Sequence, residues 1–404
     1  MSDLYQQLIL PSSEKLVLLV LDGLGDIATE ETGRTTPLEK AHTPNLDRLA
    51  AASALGRMIP VRPGITPGSG PGHLGLFGYD PVEVQVGRGV IEALGLDIDL
   101  RPGDLAARAN FCTLDAGGQI ADRRAGRIAT DINQRLTARL RERIQRIEDV
   151  EILIQSGKAH RFVVIFRGPG LDGPILDTDP HHEGAPILPP RPARETPGAL
   201  KAVRIIKAFY DQALPLLRDA APANAFLMRG IDMKPAIATL TERFGLKAAA
   251  IATYPMYRGL AQLCGMTKVA TGDAPADEFQ TYLDRYDEFQ YFFIHIKPTD
   301  AAGEDGNFDQ KRAVIEQVDA ALPVLLSRKP RVLAITGDHS TPCPMRGHSW
   351  HPIPVLLHSP VCGIDGAARF TERTCNTGSL GFFESKYLLP LMLANAGMLD
   401  KYGA

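Results

Sequence analysis

The sequence has few of the residues that stabilise secreted proteins and no excess of positive charge. Its 404 residues include five cysteines and one tryptophan, and the formal net charge is only −3. The cysteines are scattered and odd in number, which excludes the regular spacing of a disulfide framework or a thiolate zinc site and favours a reducing compartment. The weak net charge excludes a global basic field that would attract nucleic acid. Any affinity for phosphate must therefore be local.

Long hydrophobic runs are also missing. The chain contains no run of the ~18 consecutive apolar residues that a membrane-spanning helix needs. Its first residues, MSDLYQQLILPSSEK, lack the apolar segment of a signal peptide. We therefore expect a cytoplasmic protein with neither a membrane nor nucleic acid as a partner. The composition leaves the oligomeric state open, including a homo-oligomer.

The hydrophobic pattern is that of an α/β protein, long enough for two or three domains of roughly 150 residues. Residues 15–23, KLVLLVLDG, form a continuous apolar run that ends in Asp-Gly, which is typical of a buried central strand. Similar runs occur at 291–297, 331–339 and 353–359, and an amphipathic helix separates the first two of these. This alternation predicts a mostly parallel sheet with helices on its faces.

The middle of the chain has a different pattern. Short strand-like segments around a glycine-containing turn precede a helix that we expect to be capped by Thr130 and Asp131 and to run through about Ile147. Two more strands, a proline-rich passage and a second helix follow. We predict that residues 102–222 form a smaller α+β substrate-binding domain, inserted into a metal-binding catalytic core made of residues 1–101 and 223–404.

Carboxylates and imidazoles follow several of the predicted strands. Because the carboxyl ends of parallel strands meet at one edge of a sheet, residues far apart in sequence can converge there. Mixed oxygen and nitrogen ligands suit Mn²⁺, Mg²⁺, Zn²⁺ or Co²⁺ better than a thiolate-seeking metal. The candidates are Asp22, Asp26, Asp300, Glu304, Asp338, His339, His348 and His351.

Each candidate also has a simpler interpretation. An Asp-Gly pair after a strand, as at Asp22, is commonly only a turn. Glu304 has the surroundings of a solvated loop, and an Asp-His pair after a strand is a weak signal when it stands alone. Their joint occurrence at several strand ends favours a metal site over a set of unrelated turns.

A glycine-rich stretch, ITPGSGPGHLGLFGYDP at residues 65–81, surrounds Ser69 and His73. Glycine is costly to order, so this density indicates sharp bends or a close approach of the backbone. Serine is a weak nucleophile and needs a base or a metal to activate it. Two metals roughly 4 Å apart can activate such an oxygen and clamp a phosphoryl group during its displacement. Ser69 is therefore the candidate nucleophile, and a flexible turn is the alternative.

The middle of the chain is rich in arginine. The segment DRRAGR contains Asp122, Arg123 and Arg127, while Arg108 and Arg161 lie in neighbouring strand-like segments. Arginine forks bind phosphate and carboxylate through two hydrogen bonds. A single arginine is commonly a solvated surface residue, but this concentration favours a site for a small anionic substrate.

These segments together resemble the archaeal-type, cofactor-independent phosphoglycerate mutases of the alkaline phosphatase superfamily. The resemblance extends over almost the whole chain and includes LVLDGLGD, PGSGPGHLGLFGYDP, DRRAGRI, DTDPHHEG, YPMYRGLAQLCGM, HIKPTDAAGEDGNFDQK and TGDHSTPCPMRGHS. It implies an alkaline phosphatase-like core that carries two metals and the nucleophile, and an inserted domain that closes over the substrate.

The resemblance also implies a reaction and a role for each residue. Ser69 would take the phosphoryl group and return it to the neighbouring hydroxyl, interconverting 2- and 3-phosphoglycerate through phosphoserine without 2,3-bisphosphoglycerate. Asp122 would carry the proton between the two hydroxyls. One divalent metal, Mn²⁺ or Mg²⁺ in preference to Zn²⁺ or Co²⁺, would bind Asp22, Ser69, Asp338 and His339, and the other would bind Asp300, Glu304 and His348. The residues expected to hold the substrate are His73, Arg108, Arg123, Arg127, Arg161, Arg258 and Lys297.

Two positions depart from the resemblance. Glu304 stands where the wider superfamily usually has histidine, and this harder ligand favours Mg²⁺ or Mn²⁺. Gly70 stands where many archaeal members have an acidic residue, which leaves the nucleophile loop less negative. A phosphatase or phosphotransferase that acts on another small phosphorylated acid is therefore the alternative function, and an inactive binding protein is a third. The long arginine-bearing insert favours the mutase, because a phosphoenzyme that must not be hydrolysed needs a closing domain.

Overall fold

The computed structural model describes residues 2–403, with the side chains of residues 2 and 3 excepted. The chain forms two compact units, which we call unit 1 (Met1–Gln85 with Ile237–Ala404) and unit 2 (Val86–Ala236). Unit 1 thus consists of two segments that unit 2 separates in the sequence.

The strands and helices alternate through most of the chain. The strands are β1 (Leu16–Leu21), β2 (Ala54–Ile59), β3 (Leu105–Leu114), β4 (Ile120–Asp122), β5 (Arg146–Ile147), β6 (Val150–Ser156), β7 (Arg161–Arg167), β8 (Ala225–Met233), β9 (Ala248–Ile251), β10 (Thr267–Val269), β11 (Tyr291–Ile296), β12 (Val332–Thr336), β13 (Ile353–His358) and β14 (Gly381–Glu384). The α-helices are α1 (Ser2–Leu8), α2 (Pro37–Lys40), α3 (Pro44–Ala50), α4 (Ser69–Leu76), α5 (Arg88–Gly95), α6 (Thr130–Arg143), α7 (Pro197–Leu217), α8 (Leu240–Phe244), α9 (Pro255–Leu263), α10 (Pro275–Asp284), α11 (Pro298–Glu304), α12 (Phe308–Leu326), α13 (Glu372–Cys375) and α14 (Leu388–Asn395). Helices α2, α3, α7, α9, α10 and α11 begin with proline, whose fixed φ suits the first helical position.

Unit 1 is built on an eight-stranded sheet in the order β10-β9-β11-β1-β12-β13-β2-β14. All neighbouring pairs are parallel except those of β13, which runs antiparallel to both β12 and β2. The predicted α/β class with a mostly parallel sheet is therefore confirmed. The strand predicted at 353–359 exists as β13, but its direction is opposite to that of the others.

Helices cover both faces of this sheet, as predicted. On one face, Val17 and Leu19 of β1 share a hydrophobic cluster with Val318 of α12. On the other face, Phe293 of β11 packs edge-on against Phe77, which follows α4, with ring centroids 4.9 Å apart. Because neither face meets water, every residue of β1 is buried and the strand is apolar throughout.

The register of the central strands determines where the polar residues lie. Leu21 of β1 pairs with Ile296 of β11, and Val20 pairs with Thr336 of β12. The three strands are parallel, so they end at one edge of the sheet. The loops that follow them, which contain most of the predicted metal ligands, therefore start side by side.

Unit 2 contains an antiparallel sheet in the order β4-β3-β7-β6-β5, and β8 also pairs with β3. Helices α6 and α7 cover one face through a cluster that includes Leu140, Phe209 and Phe226. Helix α5 packs on β3 and β8. It lies so close to β3 that a methyl group at Gly89 would collide with the Ala106 carbonyl, and this explains the glycine.

The observed division of the chain differs from the predicted one at both ends of unit 2. Helix α5 and strand β8 lie outside residues 102–222, yet both associate with β3 and belong to unit 2. The helix predicted from Thr130 to about Ile147 ends at Arg143, and its N-cap is Ala129. The Thr130 hydroxyl accepts the Ala159 amide instead of capping the helix. The role of residues 102–222 in substrate binding stays a prediction.

Among the described residues, no helix has the length and apolar character required to cross a membrane. The five cysteines are free thiols. Burial raises the pKa of Cys112, Cys264, Cys343 and Cys375 to about 12, so these thiols stay protonated at neutral pH.

A buried ion pair connects the loops at the edge of the unit 1 sheet. Lys311 of α12 lies 2.9 Å from Asp26, and neither side chain is exposed. The ammonium also donates to the carbonyls of Gly25 (3.2 Å) and Thr341 (2.9 Å). Lys311 thereby holds together the loops that follow β1 and β12, and Asp26, a candidate metal ligand in the sequence, has a cation partner in the protein itself.

We predict that Lys311→Met lowers the free energy of unfolding by about 3–5 kcal/mol, because it leaves the Asp26 carboxylate buried without a partner. Urea unfolding measures the loss. Lys329→Met, at an exposed position, is the matched control and should change stability by less than about 0.5 kcal/mol. The double variant Lys311→Met with Asp26→Asn should recover part of the loss. A Lys311→Met protein as stable as the parent would contradict the structural role of the pair.

Candidate active site

Ser69 is the first residue of α4, and the glycines around it allow this helix to pack closely on its neighbours. A methyl group at Gly72 would collide with the Asp338 carbonyl, and one at Gly75 would collide with the Ser385 hydroxyl. Gly78 has a φ of +80°, which favours glycine. The stretch is therefore a closely packed helix start and not a flexible turn.

The Ser69 hydroxyl faces an imidazole. Its Oγ lies 3.4 Å from Nε2 of His339. His73, one turn along α4, donates from Nδ1 to the Ser69 carbonyl at 2.8 Å, and the same nitrogen lies 3.1 Å from Asp338 Oδ2. His73 is fully buried, and its hydrogen bond is to the Ser69 backbone. Its role in substrate binding stays a prediction.

Two groups of side chains could hold a metal ion. The first consists of Asp22, Asp338 and His339, whose ligand atoms lie within 4.8 Å of one another and are all buried. His339 Nε2 is 3.3 Å from Asp22 Oδ1 and 3.2 Å from Asp338 Oδ2. Both of these carboxylate oxygens are buried without a hydrogen bond from the described residues. Buried charge of this kind needs a partner, and a divalent cation between them would supply it.

The second group consists of Asp300, His339 and His348, again within 4.8 Å. His348 donates from Nδ1 to the Pro67 carbonyl at 3.0 Å, which leaves its Nε2 facing Asp300. His339 lies 3.0 Å from the Thr341 hydroxyl through Nδ1, and that hydroxyl donates to Asp300 Oδ1 at 2.6 Å. These hydrogen bonds fix the orientation of both imidazoles, as bonds behind metal ligands commonly do.

Glu304 lies at the margin of this second group. Its side chain is 56% exposed, and its Oε1 is 3.9 Å from His348 Nε2. It is absent from both compact groups of ligand atoms among the described residues. The structure therefore brings together six of the seven predicted metal-binding residues and leaves Glu304 as a neighbour, whose role as a ligand stays a prediction.

The electrostatics of the first group are those of an anionic pocket. Burial alone would lower the pKa of His339, but the charges of Asp338 and Asp22 outweigh it and raise the pKa to about 9. Burial alone would raise the pKa of Asp22, yet His295, His339 and Lys297 hold it well below its usual range. Asp22 is thus a carboxylate at any physiological pH.

Lys297 connects the two groups. Its ammonium lies 3.0 Å from Asp22, 2.5 Å from Asp300 and 3.2 Å from the Tyr257 hydroxyl. Arg258, also in unit 1, donates to the backbone carbonyls of Ala252 (3.3 Å) and Val269 (3.4 Å). Both predicted substrate-binding cations of unit 1 are therefore positioned by other parts of that unit.

In unit 2, the DRRAGR segment forms a tight turn. Asp122 accepts the amides of Arg124 at 2.7 Å and Gly126 at 2.5 Å. Ala125, Gly126 and Arg127 all have positive φ, which is uncommon for residues other than glycine. Both Asp122 oxygens thus stabilise the turn in addition to any chemical role.

Arg123 is held by Asp179, which lies in the DTDPHHEG segment and to which the sequence assigned no role. Its guanidinium makes two hydrogen bonds to Asp179, at 2.9 and 2.7 Å, and Asp179 is buried. The Arg123 charge lowers the pKa of Asp179 against the opposing effect of burial. Asp179 thus holds the Nε and Nη2 atoms of Arg123, whereas Nη1 takes no part in this ion pair.

Four arginines converge on one face of the unit 2 sheet. Arg108 of β3 pairs directly with Arg229 of β8, and Arg161 of β7 pairs with Asn110, two residues from Arg108. Burial, followed by the charges of Arg88, Arg161 and Arg229, lowers the pKa of Arg108 to about 10. Like charges in directly paired positions destabilise a sheet, so an anion fits this group.

Arg88 and Arg229 were missed by the sequence analysis. Neither lies in an arginine-rich segment, and Arg229 is recognised only through the pairing of β3 with β8. Asp177, 3.5 Å from Arg229, is a nearby acidic partner. The remaining predicted residue, Arg127, is the last residue of the turn and is exposed.

Comparison with known proteins identifies the family. The family model for 2,3-bisphosphoglycerate-independent phosphoglycerate mutase matches residues 50–224. A protein of Thermosipho africanus is 49% identical over 398 residues, which cover 98% of each chain. A protein of Aquifex aeolicus is 49% identical over 411 residues, which cover all of each chain. Both are named probable 2,3-bisphosphoglycerate-independent phosphoglycerate mutase.

Solved structures agree with these sequence relatives. The PH0037 protein of Pyrococcus horikoshii has a TM-score of 0.81 and 30% identity, over 97% of this chain and 99% of its own. The cofactor-independent phosphoglycerate mutase of Thermoplasma acidophilum has a TM-score of 0.72 and 31% identity, over 95% of this chain and 100% of its own. The resemblance seen in the sequence motifs is confirmed, and the chain belongs to the 2,3-bisphosphoglycerate-independent phosphoglycerate mutase family of isomerases.

Proposed function

We propose that this protein interconverts 2- and 3-phosphoglycerate through a phosphoserine at Ser69, in a site with two divalent metals. One observation carries the proposal: the Ser69 hydroxyl lies 3.4 Å from His339, the imidazole that belongs to both groups of candidate ligands. The names of relatives with nearly half of their residues in common support the substrate.

The residues present fit two cations. Asp22, Asp338 and His339, with Ser69, would hold one, and Asp300, His348 and Glu304 would hold the other. The buried carboxylate oxygens without hydrogen bonds are the main support, and the oxygen and nitrogen donors suit Mn²⁺ or Mg²⁺, with Zn²⁺ or Co²⁺ as alternatives. When bound, such cations lower the pKa of a coordinated hydroxyl and neutralise the charge of a transferring phosphoryl group.

Ser69 would act in two displacements. Its hydroxyl first gives its proton to solvent, and the Oγ anion attacks phosphorus; the ester bond to the glycerate oxygen breaks, and that oxygen takes a proton from a proton carrier. The other glycerate hydroxyl then returns a proton to the carrier and attacks the phosphoserine, and the bond from phosphorus to Oγ breaks, which regenerates the Oγ anion. His73 holds the Ser69 backbone during both steps. Asp122 is our candidate for carrying the proton, since the Arg124 and Gly126 amides fix its position.

Unit 2 would recognise the anionic substrate. The group formed by Arg88, Arg108, Arg161 and Arg229 has an excess of positive charge that a phosphate or carboxylate would neutralise. Arg123 is oriented by Asp179 and would add a further donor. Arg127 belongs to the same turn, and in unit 1 Lys297 and Arg258 complete the proposed substrate-binding set.

We predict that Ser69→Ala lowers the rate of interconversion by at least about three orders of magnitude, because no other oxygen replaces the nucleophile. An assay with 3-phosphoglycerate and no added 2,3-bisphosphoglycerate measures this, and mass spectrometry of acid-quenched enzyme detects the phosphoserine. Ser327→Ala, at the exposed end of α12, should retain full activity. Interconversion by Ser69→Ala would show that the nucleophile is assigned wrongly, and release of inorganic phosphate in place of isomer would favour a phosphatase.

A chelator should abolish activity, and Mn²⁺ or Mg²⁺ should restore it. Calorimetric titration of the stripped protein should give about two cations per chain, and about one for Asp300→Asn, since that variant weakens only the second group. Arg135→Met, at an exposed surface pair, should bind as the parent does. Full activity in the presence of chelator would rule out both metal positions.

Arg108→Met should raise KM about 10- to 100-fold, since it removes charged hydrogen bonds to the substrate. The same variant should be at least as stable as the parent, because it relieves repulsion among the four arginines and removes a buried Nε without a partner. Steady-state kinetics and urea unfolding measure the two effects. A loss of stability with an unchanged KM would mean that Arg108 has a structural role only.

A further inference from the structure

Thr341 lies between the two groups of candidate metal ligands and has no part in the function proposed above. It follows His339 by two residues in the loop after β12, and its side chain is fully buried. Its hydroxyl oxygen lies 2.6 Å from Asp300 Oδ1 and 3.0 Å from His339 Nδ1. One hydroxyl therefore contacts a ligand of the second group and the imidazole that both groups contain.

Backbone contacts from three segments fix the position of this hydroxyl. The Thr341 amide donates to the carbonyls of Gly25 at 3.0 Å and Gly23 at 3.3 Å, in the loop after β1. The Thr341 carbonyl accepts a hydrogen bond from the Lys311 ammonium at 2.9 Å. A methyl group at Gly303 of α11 would collide with the same carbonyl. Thr341 is therefore held by the loop after β1 and by helices α11 and α12.

The hydroxyl carries a single proton, and its two partners determine the direction of each hydrogen bond. A carboxylate only accepts hydrogen bonds, so the Thr341 proton goes to Asp300. The Thr341 oxygen then accepts a hydrogen bond from His339, which places a proton on Nδ1 of the imidazole. His339 is left with Nε2 as its ligand atom. This nitrogen lies 3.3 Å from Asp22 and 3.2 Å from Asp338.

We propose that Thr341 is a positioning residue that assigns His339 to the first metal, through Nε2, and orients Asp300 for the second. This inference rests on the proposed function and deepens it, because the ligand atoms alone place His339 in both groups. A fixed hydrogen-bond partner behind a metal ligand commonly determines both its tautomer and its orientation. Here one hydroxyl does so for a ligand of each metal.

Two substitutions separate the hydroxyl from the shape of the side chain. Thr341→Val keeps the branched shape and removes both hydrogen bonds, whereas Thr341→Ser keeps the hydroxyl. We expect Thr341→Val to raise the Kd for Mn²⁺ about 10- to 100-fold at both positions, because a ligand of each loses its partner. Thr341→Ser should bind Mn²⁺ within about threefold of the parent. Calorimetric titration of the stripped proteins measures both.

Thr336→Val is the matched control. Thr336 is also a fully buried threonine, in β12, but its hydroxyl donates to the Pro354 carbonyl at 2.9 Å and not to a candidate ligand. Its substitution should lower the melting temperature to a similar extent as Thr341→Val and leave the Kd for Mn²⁺ unchanged. The comparison separates the positioning of metal ligands from the general effect of losing a buried hydrogen bond.

A measurement on the parent tests the same assignment without a change at residue 341, and it decides the question if Thr341→Val fails to fold. Zn²⁺ is diamagnetic, so the Zn²⁺-loaded protein is suited to a long-range proton–nitrogen NMR spectrum of its histidine rings. The signal of His339, identified by its absence in His339→Gln, should show the proton on Nδ1. A proton on Nε2 would overturn the proposal.

Two results of the titrations would also overturn the role of Thr341. The first is a parental Kd for Mn²⁺ at either position in Thr341→Val. The second is a Thr341→Ser protein that binds Mn²⁺ as weakly as Thr341→Val, because the hydroxyl would then have no effect. Failure of the proposed function would look different, since it would appear in the parent as a lack of cation binding or of interconversion.

Discussion

Two buried carboxylates, Asp22 and Asp338, face one imidazole, and the rest of unit 1 is arranged around this concentration of negative charge. The two carboxylates lie close together because β1 and β12 are adjacent parallel strands that end side by side. Cationic and hydrogen-bonding side chains accordingly surround the pocket. Lys297 lies beside Asp22, and His73 lies beside Asp338. In the proposed function, a bound cation would offset the free energy lost by burying these carboxylates.

The same constraint explains the helix that carries Ser69. Helix α4 places the Ser69 hydroxyl next to His339. Its backbone therefore lies against the backbone of Asp338, directly after β12. Gly72 makes that approach possible. The glycine-rich stretch thus allows close packing, and the position of Ser69, the proposed nucleophile, follows from it. Lys311 also joins the loops that follow β1 and β12, because its ammonium donates hydrogen bonds to a backbone carbonyl in each of them.

Much of this arrangement could be predicted from the sequence, because apolar strands that end in Asp or Asp-His carry both the fold and the site in one pattern. The mostly parallel sheet was predicted correctly. The direction of β13 was not, since an apolar run looks the same in either direction. Helix α5 and strand β8 were grouped with the wrong unit, because their partner β3 is distant in sequence. The position of Arg229 next to Arg108 depends on strand register, which no local sequence pattern indicates.

Ser69 and the candidate metal ligands all belong to unit 1, whereas the group of four arginines belongs to unit 2, and each unit has its own hydrophobic core. In the proposed function, the nucleophile and the metals therefore belong to one unit and the four arginines to the other, although Asp122 in unit 2 and Lys297 and Arg258 in unit 1 give each unit a part in both tasks. Replacing arginines on the unit 2 sheet would leave Ser69 and the candidate metal ligands unchanged. Under that proposal, such an architecture lets evolution alter the acid that is recognised while the residues that carry the reaction are inherited unchanged.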